Sequence, residues 1–193
     1  MENEHLPWIG ANYEQGIDGT RILIAGWSHH GIPDHQAFTN EVVGRWAEGD
    51  ENAPFAPRIR TYFGDDDAPT FWNKVAFVNT LPTSVGDSDD NRYSKGTPEQ
   101  RARATPRSLE IVRSLKPDKV IVFSAEAWRL WPSFTPGYVD QFLTIDDVAE
   151  VPFGPYAHTG GSTWAYGLHH PQFSPTAIMT RSVQEILKHR PTV

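Results

Sequence analysis

Ser28, His29 and His30 follow a short apolar run, Ile22-Leu23-Ile24-Ala25, with only Gly26 and Trp27 between. A hydroxyl and two imidazoles in one turn can hydrogen-bond a ligand, hold a water or move a proton near neutrality. Gly26 permits the sharp backbone turn that would expose them. Two further polar residues stand in comparable places. Asn79 ends the run Val75-Ala76-Phe77-Val78, and His169 and His170 follow Trp164-Ala165-Tyr166-Gly167-Leu168.

Each of these apolar runs lacks a helical period and has the length of a strand buried on both faces. Lys119-Val120-Ile121-Val122-Phe123, ending at Ser124, is another. Between them lie helical patterns. Pro33 to Trp46 has Phe38, Val42, Val43 and Trp46 on one stripe. Thr97-Pro98-Glu99-Gln100 is a capping box with Pro at the first position. Thr105-Pro106 repeats the start signal, predicting a kink or a second helix from Pro106 to Leu115. Ser174-Pro175 is expected to cap a last helix carrying Ile178, Met179, Val183, Ile186 and Leu187. The stretch holding Pro54, Pro57, Gly64 and Pro69 reads as a long irregular connection. Trp128 to Gly161 reads the same way, with Phe142 to Ile145 a possible extra strand. Alternating strands and helices predict an α/β fold, a three-layer αβα domain around a short, mainly parallel four-stranded sheet. In such a sheet Ser28, Asn79 and His170 converge at the carboxyl edge, where ligands bind.

The 193 residues suit a single domain spanning 1–193. The chain has no cysteine, which removes disulfides, thiolate nucleophiles and zinc–thiolate sites. That composition and the absence of a visible export signal or apolar span fit a cytoplasmic protein and no membrane partner. The formal net charge of −7 argues against broad attraction to nucleic acid, while leaving room for a local basic patch. Arg103 and Arg107, spaced i,i+4 among Arg101 and Arg113, are the candidates for one; the default is a solvated face. The acidic runs 48–51, 65–67 and 87–90 read as solvated loops, and the tryptophans mostly as core.

The three strand-end motifs, in this order, resemble those of the uracil-DNA glycosylase superfamily. Members carry a glycine-containing first motif such as G-Q-D-P-Y-H, a middle strand ending at Asn, and a late strand ending in H-P-S before a long helix. Here the counterparts are Gly26-Trp27-Ser28-His29-His30-Gly31, Val75 to Asn79, and His170-Pro171-Gln172-Phe173-Ser174-Pro175. The resemblance spans about Trp8 to Leu187. It implies a DNA partner, a damaged or deaminated base flipped into the pocket, and hydrolysis of its N-glycosidic bond without a cofactor or metal. By position, His170 would donate to the base carbonyl and Asn79 would read the base edge. Trp27 or Phe38 would stack on it, with His30 nearby, and Gly26, Gly31 and Ser174 would contact phosphate or backbone. Ser28 stands where the family has its water-activating Asp or Asn, His29 replaces the Pro, and Gln172 replaces the Ser. Ser28, with His29 or His30 as base, would then have to supply the water chemistry.

Three other readings compete. A relative lacking the activating carboxylate would bind a nucleobase or nucleotide without cleaving it. Ser28 with His170 reproduces the chain order of a hydrolase nucleophile and base, although His30 replaces the second Gly of G-x-S-x-G. The imidazoles of His29, His30, His35, His158, His169 and His170 would be the ligands of any metal, at spacings that do not favour one.

Overall fold

The Ile22 run is a strand, and every one of its neighbours is defined by it. The structure, a computed structural model, describes residues 3–30, 34–51, 53–86, 95–139, 141–146 and 149–192. In chain order the strands are β1 (Trp8–Ile9), β2 (Ile22–Gly26), β3 (Ala76–Asn79), β4 (Lys119–Phe123), β5 (Gln141–Ile145), β6 (Ala149–His158) and β7 (Gly161–Leu168). The helices are α1 (Phe38–Ala47), α2 (Phe55–Phe63), α3 (Ala68–Lys74), α4 (Pro98–Leu115), α5 (Ala125–Leu130) and α6 (Thr176–Lys188).

The sheet order is β1-β3-β2-β4-β7-β6-β5. β3, β2, β4 and β7 run parallel, with Gly26 level with Asn79 and Phe123 level with Leu168. These four are the expected strands, but the expected four-stranded sheet is incomplete. It has seven strands, because β1 pairs antiparallel at one edge and the β5–β6 hairpin at the other. Successive β2 side chains point to opposite faces, so both must be apolar. Ile22 and Ile24 pack under α1, α2, α3 and α6 through Val43, Ile59, Trp72 and Val183. Leu23 and Ala25 pack under α4 and α5 through Ile111, Val112 and Ala127. Helices thus cover both faces.

The missed elements have identifiable causes. Pro54, Pro57 and Pro69 mark a break by type, yet all lie at the start of α2 or α3, where a missing N–H costs nothing. Asp67 caps α3 by accepting from the Thr70 N–H at 2.8 Å. β6 carries Pro152 and Pro155 within its pairing register, which disguises it as a loop. The Pro155 carbonyl accepts instead from the Thr135 N–H and hydroxyl, each at 3.1 Å. Pro106 neither ends nor splits α4, which runs through it as one helix. α1 begins at Phe38 rather than Pro33, which lies outside the described residues. Ser174 does not cap α6: Pro171–Phe173 forms a 3₁₀ turn, and Pro175 precedes the helix with no side-chain cap.

Lys119 ties the last helix to the sheet. It is buried, and its Nζ donates to the carbonyls of Ile186, Leu187 and His189 just where α6 runs out of N–H partners. Among the described residues no helix is long and apolar enough to cross a membrane.

Candidate functional site

The carboxyl ends of β2, β3, β4 and β7 open into a cleft of about 700 Å³. Gly26, Trp27, Ser28, His29, His30, Phe38, Asn79 and His170 all line it. Ser174 does not; it lines a neighbouring cavity. Gly31 lies outside the described residues.

The first turn is held by the chain that leaves β3. Thr80 donates its N–H (3.0 Å) and hydroxyl (2.8 Å) to the Gly26 carbonyl. The Leu81 N–H donates to Trp27 and the Val85 N–H to His29. Gln100, from the first turn of α4, fixes that second segment by donating to the Thr83 hydroxyl and the Ser84 carbonyl. Gly26 is required by a close approach: a Cβ there would sit 2.4 Å from the Asn79 Oδ1. The two strand ends are therefore mutually fitted, glycine on one admitting the amide of the other.

Asn79 is only 5 % exposed, and its amide has no hydrogen-bond partner among the described residues, although it borders the cleft. A buried amide in that state is satisfied by a ligand or by water. Its backbone is fixed from behind by Arg107, whose Nη1 donates to the Asn79 carbonyl at 2.8 Å and whose Nη2 donates to the His5 carbonyl. Arg107 is 3 % exposed. Arg103 and Arg107 therefore do not form the candidate phosphate-facing patch, and Arg107 is not part of the solvated face expected by default. Arg107 is an internal brace, and Arg103 is held by Glu4 and Glu110.

His170 lines the opposite chain segment of the cleft, between Phe55 and Phe173, whose ring centres lie 5.9 and 5.7 Å away. Its Nδ1 accepts the Gln172 N–H at 3.2 Å. A neutral imidazole that accepts at Nδ1 carries its proton on Nε2 and offers it as a donor. Burial, assisted by the Arg58 charge, holds the His170 pKa below the ordinary histidine value of 6.5, so this neutral form is the one present at pH 7.

His29 is different. It is 9 % exposed, its Nε2 meets the Thr39 hydroxyl at 2.9 Å, and Phe38 packs against it edge-on at 5.2 Å. Burial, and after it the neighbouring His5, pushes its pKa down to about 3. An imidazole so weakly basic is a poor general base at neutral pH. Its role is to anchor the first turn against α1. The Ser28 hydroxyl is buried and meets no partner among the described residues, and the hydrogen bond a Ser28–His170 nucleophile pair needs is not formed. Among the described residues no group of three or more His, Asp or Glu side chains gathers in a metal-binding arrangement.

Several lining residues were not singled out in the sequence. Phe55 comes from α2, an element hidden by its prolines. Phe77 belongs to β3, where an aromatic residue reads as core. Glu126 stands in the first turn of α5 and is the one carboxylate in the lining among the described residues. Arg101 and Arg129 donate to it at 3.0 and 2.8 Å. Burial raises its pKa, but those two bonds outweigh burial and hold the carboxyl below the usual range. Arg101 also lies 6.0 Å from the centre of the Trp27 ring. The available signal was Ser124 at the end of β4: it caps α5 by accepting from the Ala127 N–H, and so aims the first turn of α5 at the same sheet edge.

No protein-family model matches the chain, and no characterised protein matches it by sequence.

Proposed function

We propose that the cleft receives a deaminated or damaged nucleobase flipped out of DNA and that the protein hydrolyses its N-glycosidic bond. The observation that carries this reading is the state of His170. A neutral ring, fixed by the Gln172 N–H as the Nε2–H tautomer, is suited to donate to a base carbonyl as negative charge builds on it. Asn79 adds an unpartnered amide that can both donate to and accept from a base edge. Trp27, Phe38, Phe55 and Phe77 provide aromatic surface for a planar heterocycle.

In the reaction, the bond between C1′ and the base nitrogen breaks and its electron pair leaves with the base. His170 stabilises the resulting anion through its carbonyl oxygen. A water oxygen bonds to C1′, and one of its protons is released to solvent or to the departing base. Ser28 lines the cleft, but its hydroxyl is closed to contact by water, so the attacking water is held elsewhere in the cleft. The ionised Glu126, its charge shared by Arg101 and Arg129, is the carboxylate nearest the part that a first-motif carboxylate plays in the family this chain resembles. His29 positions the turn and moves no proton.

A second reading, binding without cleavage, is favoured by one specific observation: the first turn offers no carboxylate, its His29 is buried and too weakly basic to activate water, and burial lowers the His30 pKa as well. Oligonucleotides carrying uracil, hypoxanthine or xanthine, single- and double-stranded at low salt, separate the two. Alkali-labile cleavage of at least one of them is the expected result. Retention of the base in every substrate, with tight binding of one, assigns the chain to the binding reading; neither cleavage nor binding overturns both.

A further inference from the structure

Beyond β7, at the same edge of the sheet, lies a second cavity of about 550 Å³. It adjoins the cleft closely. Phe173, 70 % exposed, lines both. Glu126, in the wall of the first, is ion-paired at 2.8 Å with Arg129, in the wall of the second. Trp128 offers the second cavity an aromatic surface, fixed in place because it packs against the bare backbone of Gly167. Ser182 adds a polar group: the residue is 2 % exposed, lies in the cavity wall and makes no side-chain hydrogen bond among the described residues. A buried hydroxyl so placed is left to be satisfied by a ligand atom or by water.

We infer that the second cavity takes the nucleotide next to the one held in the cleft, so that the protein engages two consecutive nucleotides of an unpaired strand. The inference rests on the base-binding reading of the cleft and adds its substrate class. Two adjoining cavities parted by an exposed aromatic side chain match two bases joined by one phosphodiester. Arg129, its side chain 73 % exposed at the junction, is the cation for that phosphate. The second base stacks on Trp128 and meets Ser182. Glu150, also in the wall, only accepts hydrogen bonds, which favours a base with an exocyclic amine over thymine. In a duplex both nucleotides would have to leave the stack together. In a single strand they are already free of pairing.

Calorimetric titration tests this with deoxyuridine, deoxyinosine and deoxyxanthosine, each alone and joined to deoxycytidine or thymidine on its 5′ or 3′ side. One deoxycytidine dinucleotide is expected to bind about tenfold or more tighter than its nucleoside, as base–aromatic stacking allows. Ile178→Trp, which fills the second cavity, brings that dinucleotide back to the nucleoside's affinity and leaves the nucleoside unchanged. Glu150→Ala, at an exposed position that does not endanger folding, erases the preference for deoxycytidine over thymidine. Equal affinity for nucleoside and all its dinucleotides, with nucleoside binding intact, overturns the second site and spares the cleft. Failure of every nucleoside and dinucleotide to bind overturns both.

Discussion

His170→Ala lowers the rate of base excision by about 10²–10³-fold, the usual cost of removing one preorganised donor to a developing anion. The fold survives, because the substitution removes one Gln172 N–H contact and two aromatic neighbours at the cleft rim, not a core side chain. The loss falls on kcat, since the donor matters most where charge is greatest. His170→Gln, which restores a donor, recovers part of it. The pH dependence carries the same signature. The folded His170 titrates below 6.5, so activity is constant through neutrality and declines only in acid. Protonation there turns Nδ1 into a donor facing the Gln172 N–H and abolishes the contact that orients the ring. Single-turnover rates from pH 5 to 8 check both statements, and an unchanged rate for His170→Ala contradicts the assignment.

Acid destabilises this protein through His29. The neutral ring is accepted in its buried site, but the cation is excluded, so its folded pKa of about 3 lies well below the unfolded value of about 6.5. Between those values the unfolded chain binds the proton and the native one does not, so stability falls as pH falls from 6.5 towards 3. Between pH 7 and 4.5 the loss from this one residue is about 2–3 kcal/mol. His5, His30 and His170 are also depressed, chiefly by burial, and steepen the same decline. Urea unfolding at pH 7, 5.5 and 4.5 measures it. His29→Gln, which keeps a neutral group near the Thr39 hydroxyl, flattens the curve by about that amount. Parallel curves for the two proteins contradict the account. His29 is therefore a stability residue whose chemistry is to remain uncharged.

The four parallel strands were legible because each is a short apolar run that ends abruptly in polar residues, and β2, β3, β4 and β7 are those runs. From their carboxyl ends alone, Ser28, Asn79 and His170 could be placed in one cleft, as the structure does place them. Legibility failed where one residue type carries two meanings. Proline starts α2 and α3 as readily as it breaks a helix, and β6 tolerates two of them inside a sheet. Arginine at i,i+4 spacing reads as a charged face, yet Arg107 turns inward because the carbonyls of Asn79 and His5 need a donor there. A histidine pair in a turn reads as chemistry, and burial decides otherwise for His29. Glu126 escaped notice because nothing local distinguishes it from any acidic first-turn residue. Only the packing of α5 against β4 and β7 brings it to the cleft wall.

The claim that the cleft is a base-binding site with His170 as its neutral donor is tested most directly by long-range ¹H–¹⁵N correlation of the histidine rings at pH 7, with and without free uracil, hypoxanthine or xanthine. The account predicts that His170 is the Nε2–H tautomer before addition, and that one of these bases shifts its Nε2 resonance together with the Asn79 side-chain amide. An imidazolium or Nδ1–H form of His170, or resonances that none of the three bases moves at saturation, contradicts it.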